Sequence, residues 1–200
     1  FADYLIESPT DITVRFIHGS VEDVPLPGDS QDLVTFLNSA HLTNLERSLA
    51  EAHRLLQPDG VLLLNSAYES TQSYPPGSER HWGFMVVGAR KLAKKRGHDA
   101  DIPNPVNLLN YSADDYRVLA ERAGFADVRI EHHTVDMDLS AILAIFGYEG
   151  FARGALPGVD IDLAIECLQE AGRDYFERIK SKGLEAIQRT WMFLEARKAR

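Results

Sequence analysis

Residues 32–65 read DLVTFLNSAHLTNLERSLAEAHRLLQPDGVLLLN, and the fold follows from them. The stretch opens on Asp32-Leu33-Val34-Thr35-Phe36-Leu37, a nearly continuous apolar run of strand length, which is the pattern of a strand buried in a parallel sheet. Thr43-Asn44-Leu45-Glu46 then reads as a capping box, with Thr43 as N-cap and Glu46 at the third helical position, so a helix is predicted to start there. Leu45, Leu49, Ala52, Leu55 and Leu56 keep an apolar stripe at helical spacing until Pro58-Asp59-Gly60 stops it. Val61-Leu62-Leu63-Leu64-Asn65 supplies a second buried strand. Strand, helix and strand in that order predict an α/β layered domain, in which ligands gather at the carboxyl ends of the strands.

Outward from this core the pattern continues. Upstream, Val14-Arg15-Phe16-Ile17 predicts a strand closing on His18-Gly19, preceded by a short helix carrying Ala2, Leu5 and Ile6. Downstream, residues 69–110 hold Pro75-Pro76-Gly77, a basic helical piece from Ala89 to Arg96, and Pro103-Asn104-Pro105. Such a connection is an excursion placed over a ligand site. Ser112-Ala113-Asp114-Asp115 predicts another helix cap, followed by Tyr116, Leu119, Ala120 and Ala123 on one face and Gly124 as the stop. Val128 to His132 reads as a half-exposed strand, residues 139–186 as largely helical, and Thr190 to Leu194 as a final strand. The expected organisation is a core over 1–138, a helical lid insertion over 139–186 and the last core strand within 187–200.

Of the 200 residues 44% are hydrophobic and 26% charged, an ordinary globular balance that sets aside disorder and fibrous repeats. Lys plus Arg number 21 against 30 for Asp plus Glu, a formal charge of -9 that disfavours nucleic acid and anionic membrane surfaces as partners. The single Cys167 has no partner for a disulfide or a zinc site and is expected in the core. No apolar run approaches the roughly 18–20 residues of a membrane span, and the first residues lack a signal-peptide pattern, so the reading is of a soluble cytoplasmic protein. His132 and His133 are adjacent on a strand and point to opposite faces, so no metal site is expected. There is no G-x-S-x-G elbow, no P-loop and no G-x-G-x-x-G.

Four segments in order resemble the class I methyltransferases that use S-adenosylmethionine, in particular the small-molecule, quinone-biosynthesis-like branch known as methyltransferase type 11. They are Phe16-Ile17-His18-Gly19-Ser20-Val21-Glu22-Asp23-Val24-Pro25-Leu26-Pro27, the run from Ser30 through Ala40-His41-Leu42, Arg54-Leu55-Leu56-Gln57-Pro58-Asp59-Gly60, and the helix-to-Ala-Gly-Phe unit from Tyr116 to Phe125. Residues 150–158, Gly-Phe-Ala-Arg-Gly-Ala-Leu-Pro-Gly, also resemble a stretch in the late helical insertion of some members. The resemblance implies a Rossmann-like, mostly parallel sheet of strand order 3-2-1-4-5-7-6, S-adenosyl-L-methionine as cofactor and a small-molecule methyl acceptor.

The same resemblance implies site residues. Gly19, Ser20, Val21 and Glu22 form the turn that meets the adenine: glycine allows close backbone approach, the hydroxyl and carboxylate offer polar edges, and Val21 is apolar. In the family an acidic residue usually stands where this chain has Ser20. Asn38 and Ser39 follow the fourth strand, near the sulfonium, and His41 is the candidate catalytic base for an acceptor that must lose a proton. Tyr68, Trp82, Tyr111 and His132 are candidates for the acceptor pocket.

One departure is large: the Gly-rich first strand turn and the acidic end of the second strand have no counterpart in residues 1–200. Without those amino-terminal strands the fourth strand is expected to present an open apolar edge. Three arrangements account for this: a fragment of a longer product, a second polypeptide or homodimer partner that completes the sheet, or a non-catalytic methyltransferase-derived interaction module in which the Val14 strand lies beside the Asp32 strand. A nucleotide-dependent oxidoreductase is disfavoured by the missing dinucleotide fingerprint.

Overall fold

The computed structural model describes residues 13–75, 78–98 and 111–200. β1 (Gln31–Leu37) pairs in parallel with β2 (Leu56–Ser66), placing Val34 opposite Leu62 and Phe36 opposite Leu64. The crossover between them is α1 (Leu45–Leu55). β4 (Ile187–Lys198) lies antiparallel between β2 and β3 (Phe125–Met137), so the described sheet has the order β1-β2-β4-β3. Three of its strands run one way and β4 runs against them. That is the 4-5-7-6 end of the expected order, and the sheet is mixed because the last strand inserts between two parallel neighbours.

Period-two alternation sends Phe36, Leu62, Leu64, Met192, Leu194 and Ala196 to one face, where they pack on Leu45 and Leu49 of α1 and on Tyr116 and Ala120 of α3 (Ala113–Arg122). The α3 cap is the expected one: the Ser112 hydroxyl accepts from Asp115 N–H at 3.1 Å and the Asp115 carboxylate accepts from Ser112 N–H at 2.8 Å. The opposite sheet face carries Leu33, Leu63, Val135 and Phe193, all exposed. There Asn65, His133, Val135, Trp191 and Phe193 line a shallow open groove of about 500 Å³.

A second core joins α2 (Glu79–Lys95), α4 (Leu139–Phe146), α5 (Glu149–Ala155) and α6 (Ile161–Lys180) around Met85, Phe146, Cys167, Leu168 and Phe176. Met137 and Ile187, paired across β3 and β4, belong to this cluster. β2 ends at Ser66 opposite Met192, so the β3–β4 pair runs on past it. The helices dock on that extension, at the carboxyl end of β2. No described helix is long and apolar enough to cross a membrane.

Several expectations need correction. Residues 13–18 form no strand, and Val14, Phe16 and Ile17 are exposed; β-branched and aromatic residues need a neighbouring strand, and none lies beside them among the described residues. The N-cap of α1 is Asn44, whose side chain accepts from Arg47 N–H at 3.1 Å. The Thr43 hydroxyl is instead spent on Ala40 O at 2.8 Å, closing the preceding turn. β2 starts at Leu56, with a register shift that absorbs Pro58-Asp59-Gly60, and a Cβ on Gly60 would lie 2.8 Å from Gln57 O. The basic piece at Ala89 to Arg96 is the end of the longer α2. The helix expected from Ala2, Leu5 and Ile6, and Pro103-Asn104-Pro105, lie outside the described residues.

Candidate functional site

The carboxyl ends of β1 and β2 are stitched by two asparagines. Asn38, in the left-handed region at φ 50°, donates its N–H to Asn65 Oδ1 at 2.6 Å and accepts from Ala67 N–H on its own Oδ1 at 3.0 Å. This brings the turn after β1 against the segment after β2. Ser39 leads into the short 3-10 turn Ala40–Leu42 and makes no capping bond with its hydroxyl. His41, in that turn, is 7% exposed, its ring 4.1 Å from the Tyr68 ring and tilted by 34°. Its Nδ1 is buried and has no hydrogen-bond partner among the described residues. Burial, and secondarily the Arg189 charge, bring the imidazole pKa down to about 4, so the ring is neutral at pH 7.

Arg189 is the other half of this cluster. It is 4% exposed, donates to Ala67 O, and its guanidinium carbon lies 3.9 Å from the Tyr74 ring centroid, 5.3 Å from Tyr68 and 5.8 Å from Trp82. Trp82 reaches it from α2 while packing on Phe146 and Phe151 at 6.0 Å each, so it belongs as much to the helical core as to the site. The structure thus gathers Asn38, Ser39, His41, Tyr68 and Trp82 with two residues the sequence reading passed over, Tyr74 and Arg189. Arg189 stands just before the apolar run Trp191 to Leu194, and β4 begins at Ile187, ahead of the expected start at Thr190, so that the strand includes it.

Tyr111 and His132 are held elsewhere, because Tyr68 and Glu69 are consecutive and point in different directions. Glu69, 1% exposed, accepts from Thr71 N–H at 3.0 Å, the Thr71 hydroxyl at 2.6 Å, Gln72 N–H at 2.6 Å and Ala113 N–H at 2.9 Å. Burial opposes its ionisation, yet these four bonds outweigh burial and hold the carboxyl below its ordinary range. His132 Nε2 lies 3.9 Å from Glu69 Oε2, and Tyr111 O accepts from Ser70 N–H at 2.8 Å. His133 is on the other sheet face, 5.3 Å from Phe193.

The turn at 19–22 lies beside the start of α1. Ser20 Oγ accepts from Glu22 N–H at 3.1 Å, while Glu22 accepts from Asn44 N–H at 3.0 Å and pairs with Arg47 at 3.3 Å. The Glu22 carboxylate is therefore committed to the helix start. Gly19 has open space where a Cβ would stand, and Val21 is 43% exposed. Among the described residues no three His, Cys, Asp or Glu converge in a metal-binding group.

Comparison with known proteins gives this geometry a family context. Residues 3–64 match the methyltransferase domain family model. The ubiquinone/menaquinone biosynthesis C-methyltransferase UbiE of Methylobacterium nodulans is 33% identical over 90 residues, 39% of this chain and 34% of that protein; the one of Rickettsia akari is 24% identical over 119 residues, 58% of this chain and 47% of that protein. The chain thus spans between a third and a half of the length of these curated relatives. A candidate methyltransferase of Bacillus halodurans C-125 superposes with a TM-score of 0.51 at 18% identity, covering 100% of this chain and 78% of that one. The [4+2]-cyclase SpnF superposes with a TM-score of 0.50 at 18% identity, covering 99% of this chain and 60% of that one, so the shared fold does not by itself fix the chemistry. In sequence at its amino-terminal end and in fold, the chain is similar to the class I, small-molecule methyltransferases.

Proposed function

We propose that the protein transfers a methyl group from S-adenosyl-L-methionine to a small organic acceptor in a cytoplasmic setting, with α4 to α6 acting as the lid of the acceptor site. The observation that carries this reading is the junction of the β1 and β2 carboxyl ends, where the Asn38–Asn65 stitch sets a neutral His41 against Tyr68 beneath the helical cluster. The cofactor would supply an electrophilic methyl carbon. Gly19 and Val21, open and apolar, and the hydroxyl of Ser39, which makes no capping bond, fit it; Glu22 does not, since its carboxylate is already bonded. Asn38 fixes the backbone of the turn, and the unpartnered Nδ1 of His41 orients the acceptor through a hydrogen bond. Tyr68 holds that ring in place, and positioning and exclusion of water do most of the remaining work.

The second reading, a methyltransferase-derived module that binds without catalysing, draws on the apolar β1 edge, where Leu33 is 50% and Leu37 72% exposed. Calorimetric titration with S-adenosylhomocysteine separates the two. Saturable binding by this chain, or by the complete translation product of its gene, is expected under the first reading; no binding heat from either overturns it.

A further inference from the structure

Arg189 is a buried cation whose partners among the described residues are all neutral. Its guanidinium is surrounded by Tyr74, Tyr68 and Trp82 and donates to the carbonyl of Ala67. No carboxylate pairs with it among the described residues. Other arginines of the chain do have such pairs: Arg54 with Glu51, Arg96 with Glu170, Arg153 with Glu149. Burying a charge is costly without a counter-charge, and aromatic faces and one carbonyl offset only part of that cost. The residue also stands where chemistry is expected, close enough for its charge to be felt at the ring of His41.

We infer that Arg189 is the specificity-determining residue of the acceptor site and that the acceptor carries an anionic oxygen, of carboxylate or phenolate type, which the guanidinium neutralises. The inference rests on the methyl-transfer reading for the word acceptor, though not for the anion. A planar fork suits such an oxygen pair, and the rings of Tyr68 and Tyr74 hold the guanidinium plane in place. The weak basicity of His41 agrees: a group ionising near pH 4 is a poor base for a neutral alcohol, but an acceptor that arrives ionised needs only orientation.

The test uses two aromatic probes of the same shape, 4-hydroxybenzoate and the neutral 4-hydroxybenzamide, titrated against the chain with the fluorescence of its tryptophans as readout. The wild type is expected to bind the anion about tenfold or more tightly than the amide, the usual worth of a charge-assisted contact. Arg189→Met, which keeps the apolar stem, is expected to erase the preference, with the anion losing more affinity than the amide. Arg189→Lys is expected to keep part of it, and serves if the Met variant is shown by circular dichroism not to fold. Equal affinities in the wild type, binding of neither probe, or a preference that survives loss of the positive charge overturns the inference. Titration with S-adenosylhomocysteine is read separately, so that an anion preference without cofactor binding sinks methyl transfer and spares Arg189, and the converse result does the opposite.

Discussion

The rings of His41 and Tyr68 lie 4.1 Å apart, and this contact joins the turn after β1 to the segment after β2 while removing His41 from water. The folded imidazole ionises at about 4 and an unfolded one near 6.5, so between those values the unfolded chain binds a proton that the folded chain refuses. Stability from this group is therefore present above about pH 6.5 and is lost as pH falls through the window, on the order of 3 kcal/mol in all. Urea unfolding at a series of pH values is expected to show that slope in the wild type, and a flatter one in His41→Phe, which keeps a ring against Tyr68. An NMR titration placing the His41 midpoint near 6.5 would contradict the burial argument.

Gly124 ends α3 at φ +100°, and a Cβ there would stand 2.8 Å from His53 Nε2. Gly124→Ala thus meets two obstacles, backbone strain and a clash with a ring that is itself packed edge-on against Phe125 at 5.1 Å. A loss of about 1–3 kcal/mol is expected from denaturant unfolding. Adding His53→Ala should recover the clash and leave the strain, so the double variant is expected to lose less than the two single losses added together; strict additivity would mean that the ring simply moves aside.

The capping box of α3 gives a cleaner measurement. Ser112→Ala removes the acceptor for Asp115 N–H and the hydroxyl that donates to the Asp115 carboxylate at 2.6 Å, while the bond from the Ser112 backbone N–H stays, and a cost of about 1 kcal/mol is expected. Ser112→Asn, which keeps a capping oxygen, should restore most of it. A null effect in both would place the stability of α3 entirely in the burial of Tyr116 and Ala120.

β1 offers an unpaired outer edge among the described residues, with Leu33 and Leu37 outward. Leu37→Lys is expected to lower self-association, read by light scattering against concentration, with a change in unfolding free energy within about 0.5 kcal/mol. A large loss of stability instead would show that Leu37 is covered by chain or partner in solution.

Lys198 fastens the last strand: its ammonium donates to His53 O and Leu56 O at 2.8 Å each and to Asp29 at 2.7 Å. Lys198→Met leaves the carbonyls at the end of α1 without this donor. Faster amide exchange at the end of β4 is expected, with exchange in α6 unchanged; protection unchanged in both would show that the strand is held by its ladder alone.

Local signals were enough for much of the fold. The apolar runs in residues 32–37 and 61–65 mark β1 and β2, although the structure buries only one face of each, and the box at Ser112 and the stop at Gly124 bound α3, because caps and apolar runs act over a few residues and leave their mark in the sequence. Motif order carried the family resemblance for the same reason. What tertiary structure decided lies where distant segments meet. Val14 to Ile17 has strand chemistry but no neighbouring strand among the described residues, so it is not a strand, and Thr43 lost the cap to Asn44 because Ala40 O claimed its hydroxyl. Most of all, Arg189 comes to Tyr68, Tyr74 and Trp82 only because β4 inserts between β2 and β3 and runs on past Ser66 to where the helices dock. Hydrophobic periodicity sets which face of a strand is buried; which buried charge then faces which ring depends on strand order, and no local pattern encodes that.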